Sequence, residues 1–341
     1  MIKYIGSKRL LLDDIYACVD SNYNTFVDLF SGTSRVGHHM KKKGMSVISN
    51  DYATYAKVLA DCYVVADRKK YLSDTQKLVD EYNNSNNKFC GYFTETFCCD
   101  SQFFNPKNGE KIDWIREDLE KKSLDPLLKS IMLTSLMEAA DKVDSTCGVQ
   151  MAYLKKYASR SYKALTLRVP DLVENLDGNI YKSFQQDSNL LVKKLDPVDI
   201  IYVDPPYNQH SYLANYHIWE SLCIWDKAEH YGVACKRIDT REKKSDYNKK
   251  RVAITAVDDL MSNLKCKKAI VSFNNEGYIS RDEMQNLLNK YGSVSTEEID
   301  YKRYVGAKIG IYNKKGKKVG KTSHLVNKEY IYALEYKENK Q

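Results

Sequence analysis

The residues best suited to chemistry in this sequence are the four of Asp204-Pro205-Pro206-Tyr207. They follow a run rich in β-branched residues at 199–203, which predicts a buried strand of a parallel sheet. The two prolines remove backbone donors and end the strand, so its last side chains are presented at its carboxyl end. In open α/β sheets, ligands bind at that end.

The tetrapeptide offers two hydrogen-bond acceptors and an aromatic face. An amine conjugated to a heteroaromatic ring, such as the 6-amino group of adenine, is a poor nucleophile because its lone pair is delocalised. If the Asp204 carboxylate and the Pro205 carbonyl each accepted a hydrogen bond from one N–H of this amine, the nitrogen lone pair would be freed for attack. Tyr207 would give an unstacked base a surface to stack on. The alternative is an ordinary strand that ends in a proline turn.

A second strand followed by a glycine turn is predicted at 26–37. Gly32 in this turn allows a cofactor to lie against bare backbone at the start of the next helix. Another strand ends at Asp51, about twenty residues on, where dinucleotide folds place an acid on the ribose hydroxyls. The fuller glycine pattern of a pyrophosphate site is missing, so the turn favours a single adenosine-type cofactor.

Composition and charge narrow the class of protein. The chain has 341 residues, 43% of them hydrophobic, which is enough for a large α/β domain with a smaller insertion. Its net charge of +8 is compatible with a polyanionic partner. Nine cysteines without a CxxC pair predict reduced thiols in a cytoplasmic protein. No apolar run reaches the roughly 20 residues of a membrane span, and no HxH or HExxH spacing predicts a metal site.

Strands alternate with helices along much of the chain, which predicts an α/β fold with a parallel sheet and right-handed crossovers. Further strand-like segments are expected at 178–184 and 268–277. Helices are expected to precede the strands of the second half, at 189–194 and 256–264. The tetrapeptide would then lie at the edge of the sheet where the parallel strands end.

A long stretch interrupts this alternation and must carry structure of its own. We predict an inserted, mainly helical region at 67–175, with helices at 108–121 and 126–142. The catalytic domain would then comprise residues 1–66 and 176–341.

Basic side chains are concentrated in two stretches, one late in the insertion and one after the tetrapeptide. Basic residues interleaved with tyrosines suit phosphate contacts and base stacking. The alternative interpretation is that these residues only form a solvated surface. We expect 208–255 to be a mobile segment that becomes ordered on DNA. A lysine-rich loop at 314–318 either lies near DNA or is a disordered tip. The predicted DNA contacts are Lys155, Lys156, Arg160, Lys243 and Lys244.

Five motifs occur in a set order along most of the chain. They are Lys-Tyr-Ile-Gly-Ser-Lys at 3–8, Asp-Leu-Phe-Ser-Gly-Thr-Ser-Arg-Val-Gly at 28–37, Asn-Asp at 50–51, Gln-Asp-Ser at 186–188 and Asp-Pro-Pro-Tyr at 204–207. This ordered set resembles the D12 class of DNA adenine N6-methyltransferases, and in particular its restriction-modification methylases. Ser34 stands where that family often has glycine.

The resemblance implies a Rossmann-like methyltransferase sheet with an antiparallel pair, 293–299 and 329–334, at its edge. It also implies that the insertion at 67–175 is the target-recognition region. It implies S-adenosylmethionine as the cofactor and the tetrapeptide, Asp204, Pro205, Pro206 and Tyr207, as the holder of a flipped target base. Asp28 and Gly32 would line the methionine end of the cofactor, Asp51 its ribose and Asp187 its adenine. The residues implied to bind the cofactor are Tyr4, Lys8, Asp28, Gly32, Asp51, Asp187 and Asp204.

We therefore expect a site-specific adenine-N6 methyltransferase that acts on duplex DNA and protects it in a restriction-modification system beside an endonuclease. The methyl group would move by direct displacement, with no metal and no covalent enzyme intermediate. Two alternatives are an RNA adenine-N6 methyltransferase and a non-catalytic DNA-binding protein on the same fold.

Overall fold

The computed structural model describes residues 1–302, 311–312, 318–320 and 326–337. The strands are β1 (Thr25–Asp28), β2 (Ser46–Asp51), β3 (Tyr181–Gln185), β4 (Val198–Val203), β5 (His230–Tyr231), β6 (Lys236–Arg237), β7 (Cys266–Asn274), β8 (Gly292–Lys302), β9 (Ile311–Tyr312), β10 (Lys318–Gly320) and β11 (Val326–Tyr336). The helices are α1 (Leu12–Ala17), α2 (Arg35–Lys42), α3 (Thr54–Ala60), α4 (Arg68–Asn84), α5 (Tyr92–Thr94), α6 (Pro106–Lys121), α7 (Pro126–Val143), α8 (Ser188–Val192), α9 (Tyr212–Asn215), α10 (His217–Ile224), α11 (Ala253–Asn263) and α12 (Arg281–Leu288). No helix of this described part is long and apolar enough to cross a membrane.

A seven-stranded sheet in the order β3-β2-β1-β4-β7-β11-β8 forms the centre of the molecule. Strands β1, β2, β3, β4 and β7 pair in parallel, whereas β11 runs antiparallel between β7 and β8. The predicted parallel α/β sheet with an antiparallel edge pair is confirmed.

The central strands are apolar on both faces because helices cover the sheet on both sides. Alternate side chains of β4 belong to different apolar clusters: Ile201 and Val203 lie in one, and Ile200 and Tyr202 in the other. This period of two explains why the strand reads as a nearly continuous apolar run. It also leaves the first polar residue after the strand, Asp204, at the sheet edge.

The strand order reverses between β1 and β4, and this switch point positions the polar residues. Asp28 pairs with Tyr202 in register, so β1 and β4 end side by side. Beside β1, the side chain of Asn50 at the end of β2 donates to the carbonyls of Leu29 (3.2 Å) and Gln186 (3.1 Å). The carboxyl ends of β1 to β4 therefore form one connected edge, where ligands of such sheets bind.

The inserted region contains the two predicted helices, which the structure places at α6 and α7. Helix α4 was not predicted. Its buried residues, Tyr71, Thr75, Val79 and Tyr82, recur at helical spacing, but they are few among polar residues and one of them is itself polar, so the apolar signal is weak. After α7 the chain runs without long regular elements to β3, apart from a short 3₁₀ turn at Ser159–Tyr162. One apolar cluster includes residues of α3, α6, α7 and α10, so the insertion packs directly on the sheet domain. The domain boundaries themselves stay a prediction.

Arg116 links the insertion to the helices beside the site. This fully buried side chain of α6 donates through Nε to the carbonyl of Leu222 at the end of α10 (2.7 Å) and pairs with Glu120 (2.7 Å). Within α10, Glu220 accepts from the backbone N–H groups of Thr54 and Tyr55 (3.1 Å each). Helix α10 thus holds the start of α3, which begins three residues after Asp51.

We predict that Arg116→Met lowers the free energy of unfolding by about 2–4 kcal/mol, because it removes a charged hydrogen bond and a partly buried ion pair. Chemical denaturation of both proteins measures the difference. Lys121→Met on the exposed side of the same helix is the control and should change stability by less than about 0.5 kcal/mol. Equal stability of the Arg116 variant and the wild type would show that this link contributes nothing.

Candidate active site

A cavity of about 430 Å³ lies at the carboxyl edge of the sheet. This volume is within the range of small-molecule sites, about 300–1,000 Å³. The cavity is lined from several distant parts of the chain, including the turn after β1, the end of β2, the start of α8 and the residues after β4. The predicted catalytic and cofactor-binding residues that line it are Tyr4, Gly32, Asp51, Asp187, Asp204 and Pro206.

Asp204 lies directly after β4, with 18% of its side chain exposed. Its Oδ1 is 3.0 Å from the ammonium of Lys8. Burial raises the pKa of Asp204 to about 6; Lys8 opposes this rise and the Glu329 carboxylate adds to it. A carboxylate that is poised near neutral pH and lines a cavity is a candidate acceptor for a substrate N–H.

Lys8 forms a buried bridge between two carboxylates, Asp204 and Glu329. Burial disfavours its charge, but the two carboxylates outweigh burial and raise the pKa of Lys8 well above its usual value. Lys8 is thus held as an ammonium. It is not among the described cavity-lining residues, so its contact with a cofactor stays a prediction.

Asp51 organises the glycine turn. Its two oxygens accept from the backbone N–H groups of Gly32 (2.9 Å) and Ala53 (3.0 Å), and burial raises its pKa. Gly32 has φ +49°, in the left-handed region, and a Cβ there would come within 3.1 Å of the Tyr4 ring. Only glycine satisfies both conditions without strain. Gly32 therefore lets the Tyr4 ring lie close to bare backbone at the cavity, and contact of this backbone with a cofactor stays a prediction.

Asp28 is buried below this turn rather than among the cavity-lining residues. Its Oδ2 accepts from the Gly37 N–H (3.1 Å), while Oδ1 has no hydrogen-bond partner among the described residues. Burial raises the pKa of Asp28 to about 8. Ser34, where the family often has glycine, has φ 57°, which accounts for a preference for glycine at that position.

An aromatic stack forms one wall of the cavity. Tyr4 stacks between Tyr212 and Tyr216, with ring centroids 5.2 and 4.5 Å apart. Gly6 makes this approach possible, because a Cβ there would lie 2.8 Å from the Tyr212 hydroxyl. The sequence indicated Tyr4 through the family motif alone. It predicted no role for the stacking partners Tyr212 and Tyr216.

The rest of the tetrapeptide continues from β4 without regular secondary structure. Pro205 is buried and Pro206 lines the cavity. Tyr207 is half-buried, its ring edge-on to Phe273 (5.9 Å) and its carbonyl accepting from the Tyr278 N–H (2.8 Å). Tyr207 is thus anchored on the segment after β7.

Residues 242–248 also line the cavity. Tyr247 is buried; its hydroxyl donates to Asn189 (2.6 Å) and its ring meets Phe30 edge-on. Asn248 donates to the carbonyls of Asn208 (2.7 Å) and His210 (3.2 Å). Sequence reasoning treated this stretch only as part of a mobile segment and missed these anchors, since nothing in the pattern distinguishes Tyr247 from the other tyrosines.

The predicted DNA contacts lie in different surroundings. Lys243 and Lys244 line the cavity, and Lys243 also pairs with Asp239 (2.9 Å). In the insertion, Lys155 and Lys156 are exposed, whereas Arg160 pairs with Asp144 (2.7 Å). The predicted lysine loop at 314–318 lies almost wholly outside the described residues. No group of side chains suited to a metal ion occurs in the described part of the chain.

The sequence matches a known protein family and several characterised proteins. Residues 4–287 match the model of the D12 class N6 adenine-specific DNA methyltransferases. The chain is similar to modification methylase StsI of Streptococcus sanguinis, with 32% identity over 89% of this chain and 49% of that protein. It is 30% identical to type II methyltransferase M.FokI of Planomicrobium okeanokoites over 89% of this chain and 50% of that protein.

A shorter relative is matched over its full length. Type II methyltransferase M.NlaIII of Neisseria lactamica is 28% identical over 96% of this chain and 100% of that protein. By contrast, the chain spans about half the length of StsI and M.FokI. Because the family model covers most of the sequence, the chain belongs to the D12 class of N6 adenine-specific DNA methyltransferases.

Proposed function

We propose that the protein transfers a methyl group from S-adenosylmethionine to the 6-amino group of a flipped adenine in a specific duplex DNA sequence. The carrying observation is the position of Asp204: a carboxylate at the end of the central strand that lines a cavity already shaped by a glycine turn. The family to which the chain belongs supports the same substrate class.

The cavity suits an adenosine-containing cofactor. Gly32 keeps the backbone open, Asp51 and Asp187 supply acceptors for hydroxyls and an amine, and Tyr4 supplies an aromatic wall. Asp28 supports this fit from below, because it presents a buried oxygen without a described partner beside the turn. When bound, the cofactor supplies an electrophilic methyl group. Tyr247, a buried residue that lines the cavity and is anchored to Asn189, would exclude water from its part of the cavity.

Asp204 and Pro205 would act on the target amine. The Asp204 carboxylate would accept one N–H and the Pro205 carbonyl the other, which would localise the nitrogen lone pair toward the methyl group. Tyr207 would stack on the extruded base and offset part of its unstacking cost of a few kcal/mol. Positioning of the two reactants supplies most of the acceleration in such a direct displacement.

Duplex DNA would lie across the mouth of the cavity between the insertion and 208–255. Lys155, Lys156, Arg160, Lys243 and Lys244 would supply phosphate contacts and orient the duplex. The relatives named above are modification or type II methyltransferases, so a partner endonuclease with the same recognition sequence fits this proposal. RNA is the alternative substrate that a parallel assay with a transcript tests.

We expect Asp204→Asn to lower methyl transfer to duplex DNA by at least about 100-fold, because one amine acceptor is replaced by an amide. Binding of S-adenosylmethionine, measured by calorimetry, should change little. Transfer is followed with labelled cofactor and genomic DNA. The control is Asp196→Asn, an exposed residue two positions before the start of β4, and this variant should retain full activity. A variant at Asp204 with more than about a tenth of the wild-type rate would contradict the assignment.

The pH dependence should report the raised pKa of Asp204. Because the carboxylate accepts the amine N–H, activity should be present above the pKa of about 6 and fall as the pH drops through it. We therefore predict an acid limb of kcat/KM near pH 6, since this quantity reports the free enzyme. An acid limb near the ordinary pKa of an aspartate, about 3.9, would contradict the burial of an active carboxyl group.

The exposed lysines should carry phosphate contacts. We expect Lys155→Gln with Lys156→Gln to flatten the slope of log K against log[salt] by about 1 to 2, because fewer counterions are released. Lys243→Gln with Lys244→Gln should flatten it similarly and also weaken cofactor binding, since both lysines line the cavity. Fluorescence anisotropy with labelled duplex measures both slopes. The control is the double variant Lys69→Gln with Lys70→Gln on α4, which should keep the wild-type slope. An unchanged slope in all three double variants would show that DNA binds elsewhere.

A further inference from the structure

Glu329 is a buried acid that none of the family motifs includes. It lies in β11, and 5% of the residue is exposed. Its carboxylate pairs with Lys8 and accepts from the Ser272 hydroxyl (2.9 Å). Lys8 in turn pairs with Asp204. Residues 8, 204 and 329 thus form one buried chain of charges that ends at the proposed amine acceptor.

The antiparallel direction of β11 explains how Glu329 reaches this place. Glu329 is opposite Asn274 at the carboxyl end of β7, and Val271 in β7 is opposite Val203 in β4. Because β11 runs against the other strands, its early residues lie at the edge where those strands end. An acid early in β11 is therefore brought beside the residue that follows β4.

The charges do not balance, which indicates a role beyond packing. Lys8 and Asp204 already form a neutral pair, so a second buried carboxylate adds a desolvation cost that stability alone does not require. Other groups facing Asp204 contribute no charge near neutral pH. Burial raises the pKa of Asp28 to about 8, and the pKa values of the facing tyrosines are also raised by burial. The groups that face Asp204 are Lys8, Glu329, Asp28, Tyr202, Tyr207 and Tyr212.

We propose that Glu329 is a positioning residue for methyl transfer: it holds the Lys8 ammonium on Oδ1 of Asp204, and its negative charge keeps Asp204 a strong acceptor for the target amine. This inference rests on the proposed function. With Oδ1 engaged by Lys8, the second oxygen of Asp204 is the one left for the substrate N–H. A carboxylate made more basic by a nearby negative charge accepts that N–H more strongly.

The decisive variant is Glu329→Gln, which keeps the size of the side chain and an oxygen for Lys8 and Ser272 but removes the charge. The acid limb of kcat/KM should move to lower pH by at least about 0.5 units, because the group that opposes ionisation of Asp204 is gone. The rate on the plateau should fall about 3- to 10-fold, since the acceptor is weaker. A merely structural Glu329 would lower the rate or the stability and leave the acid limb in place, and this result would overturn the proposal.

A matched control lies on the same strand. Glu335 of β11 also pairs with a lysine, Lys268 (2.8 Å), but is half-exposed and far along the strand from the site. Glu335→Gln should leave both the plateau and the acid limb unchanged. Glu329→Asp keeps the charge and serves if the glutamine variant does not fold. Its acid limb should stay within about 0.2 units of the wild type while its plateau falls, and a shifted limb with the charge retained would overturn the proposal.

The same experiments separate failure of this inference from failure of the proposed function. If the wild type transfers no methyl group to duplex DNA, or Asp204→Asn remains active, the proposed function fails. If the wild type is active and Asp204→Asn is not, but Glu329→Gln has an unmoved acid limb, only the role of Glu329 fails. Calorimetric binding of S-adenosylmethionine to the Glu329→Gln variant should match the wild type.

Discussion

Parallel pairing of β1 with β4 is the constraint on which the site depends. The chain enters the sheet at β1, builds outward through β2 and β3, and returns to the other side of β1 with β4. The loops after β1 and β4 must therefore diverge to opposite faces, which leaves a crevice between them. The glycine turn lies on one side of the crevice and Asp204 on the other. The proposed cofactor site and the proposed amine acceptor are therefore adjacent, because the sheet reverses its order there.

Electrostatics then decides what this crevice can do. Asp204, at the wall of the cavity, would be costly to ionise without Lys8, and Lys8 would be costly to bury without its two carboxylates. Each of the three charges is stable in the interior because its partners lie close to it. The three come from separate elements: Lys8 from the N-terminal segment, Asp204 from the end of β4 and Glu329 from the start of β11. The aromatic stack of Tyr4 and its two tyrosine partners fixes the same N-terminal segment. The first eight residues therefore connect the cavity wall to the acidic residue that faces it.

Much of the fold and part of the site could be predicted from the sequence. Strand-forming runs such as 199–203, the proline stop after them and the glycine turn at Gly32 are local signals, because backbone sterics act within a few residues. Helices α6 and α7 were also readable from apolar periodicity, whereas α4 was not, since few of its side chains are buried. Cavity residues such as Asp51 and Asp204 were found because each ends a recognisable strand. Tyr247 and Asn248 were missed because their anchors are distant residues.

The sequence by itself determined the alternation of strands and helices, the order of the family motifs and the carboxylate, Asp204, that is proposed as the amine acceptor. Only the tertiary structure decided that Lys8 faces Asp204, that a strand more than a hundred residues later adds Glu329 to the pair, and that the insertion holds α3 through α10. The reason is physical: local propensities act between neighbours along the chain, whereas burial of charge is a property of the space that many distant segments enclose.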